Sequence, residues 1–227
     1  MKPRGPVVAI DGPSGSGKST VSRNVARRLG FKYVDTGAMY RAFAVAAHDS
    51  GIEPEDEEAL KEFAKTVRMN FDEDGHIYVN GKDYTQSIRT PLADRLSSIV
   101  SAKGFVRERL VALQREIGEE GYVIMEGRDI GTVVFPDADV KIYMIASQEI
   151  RAERRYRQLK EKDLLGNTTK EEILRAIEER DRRDTERSHS PLRMAEDALL
   201  IDTTELSLEE VEERVMEEVE RGIKEWK

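Results

Sequence analysis

The stretch Gly12-Pro13-Ser14-Gly15-Ser16-Gly17-Lys18-Ser19 decides the fold, because it fits the pattern G-x-x-x-x-G-K-[ST] at every fixed position. Before it stands Val7-Val8-Ala9-Ile10, an apolar run without polar alternation, as expected of a parallel strand covered on both faces. After it, apolar residues mark one stripe of a helix that stops at Gly30, namely Val21, Val25, Ala26 and Leu29. The order strand, loop, helix predicts a P-loop.

Each part of this loop has a chemical use. The glycines let backbone N–H groups turn towards phosphate oxygens, and the N-terminus of the following helix adds partial positive charge. Lys18 is expected to reach the outer phosphates, and the Ser19 hydroxyl is expected to ligate magnesium. We therefore predict a site for nucleotide phosphates. It comprises Gly12, Pro13, Ser14, Gly15, Ser16, Gly17, Lys18, Ser19 and Thr20.

Length and composition exclude several classes of protein. A chain of 227 residues suits one domain with inserted parts. It has no apolar stretch long enough to span a membrane, and its start leads into a strand rather than a signal peptide, so we expect a cytoplasmic protein without a membrane partner. It has no cysteine, which excludes disulfides and thiolate catalysis, and its three histidines show no metal-ligand spacing.

The charge balance bears on partners. The net charge of -8 argues against a general nucleic-acid surface, which needs a basic face. We expect small-molecule partners and a monomer.

Strands that alternate with helices predict an α/β fold, a doubly wound parallel sheet that contains the P-loop. One segment, from about 67 to 87, interrupts the alternation. Its turn dipeptides Asp74-Gly75 and Asn80-Gly81 predict a small antiparallel meander in an inserted lobe. We predict a core of residues 1–35, 103–150 and 188–227, with a lobe at about 36–102.

Three helices have boundaries that the sequence suggests. Thr36 is a candidate N-cap for a helix that runs to about Ser50, and a short acidic helix is predicted from Pro54 to Thr66. The last helix begins at a capping box after Ser207. Its predicted inward face comprises Leu208, Val211, Val215 and Val219.

Two arginine clusters follow the third strand. Arg151, Arg154 and Arg155 share a helix face, and the break Leu165-Gly166-Asn167 comes shortly after them, which predicts a hinged lid at about 151–169. A capping box at Thr169 and Glu172 then predicts the start of a helix that runs to about 187. The second cluster places Arg180, Asp184 and Arg187 on one face. Taken singly, each arginine could belong to a solvated, ion-paired surface, but both clusters beside a P-loop favour binding of phosphoryl groups.

Three classes of protein share the P-loop. A GTP switch needs an Asn-Lys-x-Asp base reader, and the nearest string, Asn80-Gly81-Lys82-Asp83, is out of order. A motor ATPase needs a longer core. A kinase for a small acceptor needs many cations near two phosphoryl groups, which the arginines supply. The residues favour this kinase, with a nucleotide-dependent switch as the alternative from another class.

Four strings together closely resemble the bacterial cytidylate kinase family across essentially the whole chain. They are Asp11–Thr20, Asp35–Arg41, Gly127–Pro136 and Glu179–Arg187. The first string alone would fit adenylate, shikimate or gluconate kinases as well, whereas the second and third are specific. The resemblance implies transfer of the γ-phosphoryl group of ATP to CMP or dCMP, with Mg²⁺; a kinase for another small acceptor stays open as the alternative.

The resemblance also implies roles for individual residues. Family positions that hold the acceptor phosphate match Thr36, Arg41 and Arg128. Those that read the cytosine edge match Ser98, Arg107 and Asp129. Sugar contacts match Arg180 and Asp184, with Arg187 in the same cluster. The residues that would close over the transferring group match Arg151, Arg154 and Arg155. Two carboxylates keep two interpretations: Glu126 supports magnesium or caps a turn, and Asp129 reads the base or handles a proton.

Overall fold

The computed structural model describes residues 3–72 and 75–226. The strands are β1 Val7–Asp11, β2 Lys32–Asp35, β3 Met69–Phe71, β4 Ile77–Val79, β5 Lys82–Asp83, β6 Val123–Gly127, β7 Val140–Ile145 and β8 Leu199–Asp202. The helices are α1 Lys18–Leu29, α2 Thr36–Asp49, α3 Glu57–Thr66, α4 Pro91–Val100, α5 Gly104–Gly118, α6 Gln148–Glu161, α7 Lys170–Glu186 and α8 Leu208–Gly222. A π-helical turn spans Ile130–Val134.

A five-stranded parallel sheet of order β2-β6-β1-β7-β8 forms the centre of the molecule. All five residues of β1 are buried, as the apolar run predicts. Asp11 at the end of β1 lies in register with Gly127 at the end of β6. The loops that follow these two strands therefore leave the same edge of the sheet side by side, which is where open α/β sheets bind ligands.

The two faces of the sheet carry separate apolar cores. Val8 and Ile10 of β1 belong to a core shared with α1 and α8. Val7 and Ala9 alternate to the other face and belong to a larger core shared with α2 to α5. Covering of both faces by helices confirms the predicted α/β class.

The predicted antiparallel meander is confirmed as a three-stranded sheet of order β3-β4-β5. Its second turn, Asn80-Gly81, has φ values of 50° and 83°, the left-handed conformations that a tight hairpin turn favours. The other predicted turn dipeptide includes Asp74, which lies outside the described residues. The meander packs against α2.

Three helix predictions need correction. Thr36 is not the N-cap of α2, because the Asp35 side chain accepts from Ala38 N at 2.8 Å and the Thr36 hydroxyl is used elsewhere. The helix predicted from Pro54 begins instead at Glu57, after Asp56 caps it. Leu208 is 43% exposed rather than buried. The residue before the cap, Leu206, packs on the core in its place, as a hydrophobic staple does.

Helices α6 and α7 pack against each other around a small apolar cluster of their own. The capping box predicted at Thr169 and Glu172 is confirmed at the start of α7. This helix pair is called the lid pair below. Among the residues that the structure describes, no helix is both long and apolar enough to cross a membrane.

Candidate active site

The P-loop between β1 and α1 is shaped by close backbone contact. Gly12 has a φ of 143°, and a Cβ there would lie 2.0 Å from the Met144 carbonyl oxygen, so no other residue fits. Gly17, at a φ of 96°, is the N-cap of α1, and it has no side chain that could accept a capping hydrogen bond. The first amides of α1 thus lack an acceptor from a capping side chain, which suits an anion at this end of the helix.

Lys18 is folded over the loop. Its Nζ donates to the Pro13 carbonyl oxygen at 2.6 Å and to Ser16 Oγ at 3.2 Å, and the residue is buried. Burial, together with the positive charge of Arg128, lowers the pKa of Lys18 to about 7. Phosphate groups of a bound nucleotide would bring the negative charge that favours the ammonium form.

A hydroxyl and a carboxylate meet beside the loop. Ser19 is exposed in the first turn of α1, and its hydrogen bond lowers the pKa of the Glu126 carboxyl, although burial and the nearby Asp35 raise that pKa overall. The Tyr33 hydroxyl donates to Glu126 Oε1 at 2.6 Å. Hard oxygen ligands of this kind fit Mg²⁺, which keeps several waters and substrate oxygens in its shell.

The predicted acceptor-phosphate residues lie at the adjoining end of the sheet. Arg41 on α2 pairs with Asp35 at 3.2 Å, and the Thr36 hydroxyl donates to the Glu126 carbonyl oxygen at 2.8 Å. Arg128, directly after β6, has its Nε 3.0 Å from Asp184 Oδ2 on α7. These contacts hold the hydroxyl and both guanidinium groups in place before any ligand arrives.

The predicted sugar residues join the same cluster. Burial and then the charge of Arg128 lower the pKa of Arg180 to about 10. Arg187 Nη1 lies 3.7 Å from Asp184 Oδ1, and its Nη2 is a buried donor without a hydrogen-bond partner. Several guanidinium groups gathered in one cluster suit an anionic ligand.

Two of the three predicted cytosine-reading residues are in contact. Arg107 Nη2 on α5 donates to Asp129 Oδ2 at 2.6 Å, and both side chains are buried. Arg107 Nη1 donates to the Ser101 carbonyl oxygen. Ser98, the third predicted residue, lies on α4, and its Oγ accepts a hydrogen bond from Arg183 Nη1 at 2.6 Å. The structure therefore places Ser98 near the cluster but in contact with the lid pair.

The predicted lid arginines point to three different neighbours. Arg151 is buried, with its Nη2 2.5 Å from Asp181 Oδ2 and its Nη1 3.0 Å from the carbonyl oxygen of Ser14 in the P-loop. Arg154 donates to the hydroxyl and carbonyl oxygens of Thr203. Arg155 reaches across to α4 and pairs with Asp94 at 3.3 Å. The first two arginines therefore adjoin the P-loop and its neighbour Thr203, and the third adjoins α4.

Sequence reasoning missed several residues that hold this arrangement together. They include Asp11, Tyr33, Asp35, Tyr40, Asp94, Asp181, Arg183 and Thr203. Five of them lie inside the strings that carry the family resemblance, which is the signal that could have found them: Asp11, Asp35, Tyr40, Asp181 and Arg183. The described residues contain no cluster of three or more His, Cys, Asp or Glu side chains suited to a metal.

Comparison with known proteins agrees with this geometry. The family model described as cytidylate kinase matches residues 8–221. A protein named cytidylate kinase from Geobacter sulfurreducens is 48% identical over 93% of this chain and 91% of its own length. One of the same name from Thermotoga neapolitana is 45% identical over 96% of this chain and 98% of its own.

A solved structure supports the fold alone. Shikimate kinase from Bacteroides thetaiotaomicron has a TM-score of 0.51 and 13% identity, covering 95% of this chain and 98% of that one. The family model and the close relatives span nearly the whole chain, as the four strings do, so the chain belongs to the cytidylate kinase family.

Proposed function

We propose that the protein transfers the γ-phosphoryl group of ATP to CMP or dCMP, giving ADP and CDP or dCDP. The observation that carries this proposal is the pairing of two sites at one edge of the sheet. A P-loop with a buried Lys18 lies next to a cluster of partly buried arginines, and the buried Arg107–Asp129 pair lies near this cluster. Family membership names the acceptor.

On the donor side, the loop amides and the N-terminus of α1 bind the phosphates of ATP. Lys18 leaves its loop contacts with Pro13 and Ser16 to neutralise charge that moves onto the donor oxygens. Ser19, with Glu126 acting through water, would hold Mg²⁺. When bound, the ion would offset negative charge on the phosphate groups.

On the acceptor side, Thr36, Arg41 and Arg128 bind the monophosphate. Their present partners are carboxylates and a carbonyl, which a phosphate group can replace with several oxygens. Arg180, Asp184 and Arg187 position the sugar. Positioning both phosphates in line supplies most of the catalysis in such reactions, and no covalent intermediate is needed.

The base is read by Arg107 and Asp129, with Ser98 released from Arg183 when the nucleotide enters. Cytosine offers an amino donor beside a ring acceptor, and uracil reverses both. A carboxylate that accepts from the amino group and a guanidinium that donates to the ring nitrogen therefore match CMP and oppose UMP. Proton handling by Asp129 is a further role that this arrangement permits.

The lid pair closes over the transferring group, and Arg151, Arg154 and Arg155 bring cations to it. Arg151 and Arg154 already touch the donor loop and its neighbour Thr203. The proposal includes the predicted division of the chain into a core, an acceptor-binding lobe and a lid. That the protein is a monomer stays a prediction, as does its cytoplasmic location.

The deciding experiment is an ADP-release assay with ATP and a panel of acceptors: CMP, dCMP, UMP, AMP and shikimate. Acceptor-dependent release that is fastest with CMP or dCMP is the expected result. Another acceptor at the top of the panel would replace the proposed substrate. Slow release that no acceptor stimulates would identify a nucleotide-dependent switch instead.

A further inference from the structure

Asp11, the last residue of β1, is a buried carboxylate to which the proposed mechanism gives no role. It is 5% exposed, and both of its oxygens accept backbone hydrogen bonds. Oδ1 accepts from Ile130 N at 2.9 Å, and Oδ2 accepts from Gly131 N at 2.8 Å. These amides open the π-helical turn that follows Arg128 and Asp129. One side chain thus joins the strand before the P-loop to the loop of the acceptor site.

The first amides of a helical turn have no acceptor within that turn and need one from outside. An aspartate at the N-cap position ordinarily supplies it. Asp129 occupies the N-cap position here, yet its side chain makes no capping hydrogen bond. Its Oδ2 accepts instead from Arg107 Nη2. Asp11 therefore caps the turn in place of Asp129.

The residues packed around Asp11 leave its carboxylate little room to move away from the two amides. Asp11 lies in register with Gly127, and a Cβ on Gly131 would lie 3.5 Å from Asp11 Oδ2. Burial raises the pKa of Asp11 to about 6, although both amides lower it, so the side chain is mostly ionised at pH 7. An ionised acceptor binds amide donors more strongly than a neutral one.

We propose that Asp11 is a positioning residue for base recognition: by capping the turn at Ile130, it leaves the Asp129 carboxylate free to pair with Arg107 and read cytosine. This inference rests on the proposed function. Without Asp11, the Asp129 side chain turns back to cap its own turn, and Arg107 loses the partner that orients it. Loss of Asp11 then acts on the acceptor through Asp129, although Asp11 itself precedes the donor loop.

The test is Asp11→Asn, which keeps the size of the side chain but only one of its two acceptors. We expect the ratio of kcat/KM for CMP to that for UMP to fall about tenfold, the effect of one unmade buried hydrogen bond. KM for CMP should rise, whereas KM for ATP should change less. Amide exchange at Ile130 and Gly131 should quicken by about tenfold, because both lose a charged acceptor.

The matched control is Asp139→Asn at the opposite end of β1. Asp139 Oδ2 accepts from Val7 N at 2.8 Å, and its Oδ1 accepts from Trp226 Nε1 at 3.1 Å, so it too bonds through both oxygens. This variant should lose stability but keep the CMP to UMP ratio. In a chain that already carries Asp129→Asn, Asp11→Asn should lower the ratio no further.

Three results would overturn the proposal. They are an unchanged ratio in Asp11→Asn, an equal loss of ratio in Asp139→Asn, and a further loss of ratio in the double variant. If the unaltered enzyme does not prefer CMP to UMP, the proposed reading of cytosine by Arg107 and Asp129 fails instead, and unchanged amide exchange at Ile130 and Gly131 would then reject the cap by itself. If Asp11→Asn does not fold, Asp11→Ser is measured in the same way.

Discussion

The donor and acceptor halves of the site are built in opposite ways. The donor half is a loop of consecutive residues whose backbone makes the cradle, with Gly12 pressed against the Met144 carbonyl and Lys18 bound within the loop itself. The acceptor half consists of side chains from α2, α4, α5, α7 and the loop after β6, held by ion pairs such as Arg128–Asp184 and Arg107–Asp129. A local sequence can specify the first, but only the assembled fold can specify the second.

The largest effect should come from removing Lys18, the cationic side chain within the P-loop. Lys18→Ala should reduce turnover by about 10²-fold or more, since a preorganised charge contact in the transition state stabilises it by roughly 2.7–4 kcal/mol. Steady-state kinetics with circular dichroism to monitor folding measures this. Lys32→Ala, an exposed lysine on β2, is the control and should be near native. Near-native turnover in Lys18→Ala would remove the loop from the mechanism.

The next prediction concerns the lid pair, which contacts both halves. Amide exchange between Arg151 and Thr169 should slow by about tenfold with a bisubstrate analogue, and much less with either nucleotide alone. Hydrogen-exchange mass spectrometry reads this segment directly, with α8, which packs against α1 and is not part of the lid pair, as the internal control. Equal protection with and without ligand would make the pair a static surface element and would separate it from the mechanism.

The free energy of unfolding should depend on the unfavourable burial of the Lys18 ammonium group in the absence of a bound phosphate. The unfolded chain keeps this proton up to pH 10.5, whereas the folded chain loses it near pH 7. Between these values the unfolded state binds more protons, so stability from this residue rises with pH. Lys18→Met should therefore raise the free energy of unfolding at pH 7 by roughly 1–3 kcal/mol, after the loss of its hydrogen bonds.

Urea unfolding at pH 7, 8.5 and 10 measures that gain, which should shrink as pH rises. ATP analogues should reverse it, because phosphate stabilises the ammonium form only in the native chain. A gain that grows with pH would contradict the assigned direction of the Lys18 pKa.

The smallest effect should come from the half-exposed bridge between the lid pair and α4. Asp94→Asn removes the carboxylate paired with Arg155 and should cost only ~0.2–1 kcal/mol of stability, as exposed ion pairs do. Asp181→Asn, which breaks the pair of the buried Arg151, is the comparison and should cost clearly more. Thermal unfolding compares the two. Equal losses of stability in the two variants would show that burial does not decide how much these two ion pairs contribute.

The extent to which the sequence predicts this molecule follows the same division. The strand, P-loop and first helix, the meander turn at Asn80-Gly81 and the capping box at Thr169 are all confirmed, because each depends on residues within a few positions of one another. The predicted N-cap at Thr36 is wrong because Asp35, one residue earlier, can also cap, and only the packed structure decides between two adjacent candidates.

Contacts between residues that are far apart in the chain could not be predicted from the sequence pattern. Nothing near Arg151 in the sequence indicates that it binds Asp181 on another helix and a carbonyl of the P-loop. Likewise, Ser98 is predicted to read the base, and its hydrogen bond with Arg183 depends on where α7 lies relative to α4 in the folded chain. The assigned roles of these residues stay predictions, and base selection is where they can be tested together.

The most direct test of the account is the relative use of CMP and UMP by the unaltered enzyme, measured as kcat/KM for CDP and UDP formation from ATP. A buried donor or acceptor left unsatisfied costs ~1–3 kcal/mol, and uracil mismatches two, so the ratio should be roughly 10² or greater. Asp129→Asn should narrow it more than it weakens ATP binding. Equal use of CMP and UMP would contradict the reading of cytosine by Arg107 and Asp129, and AMP as the best acceptor would contradict the proposed function.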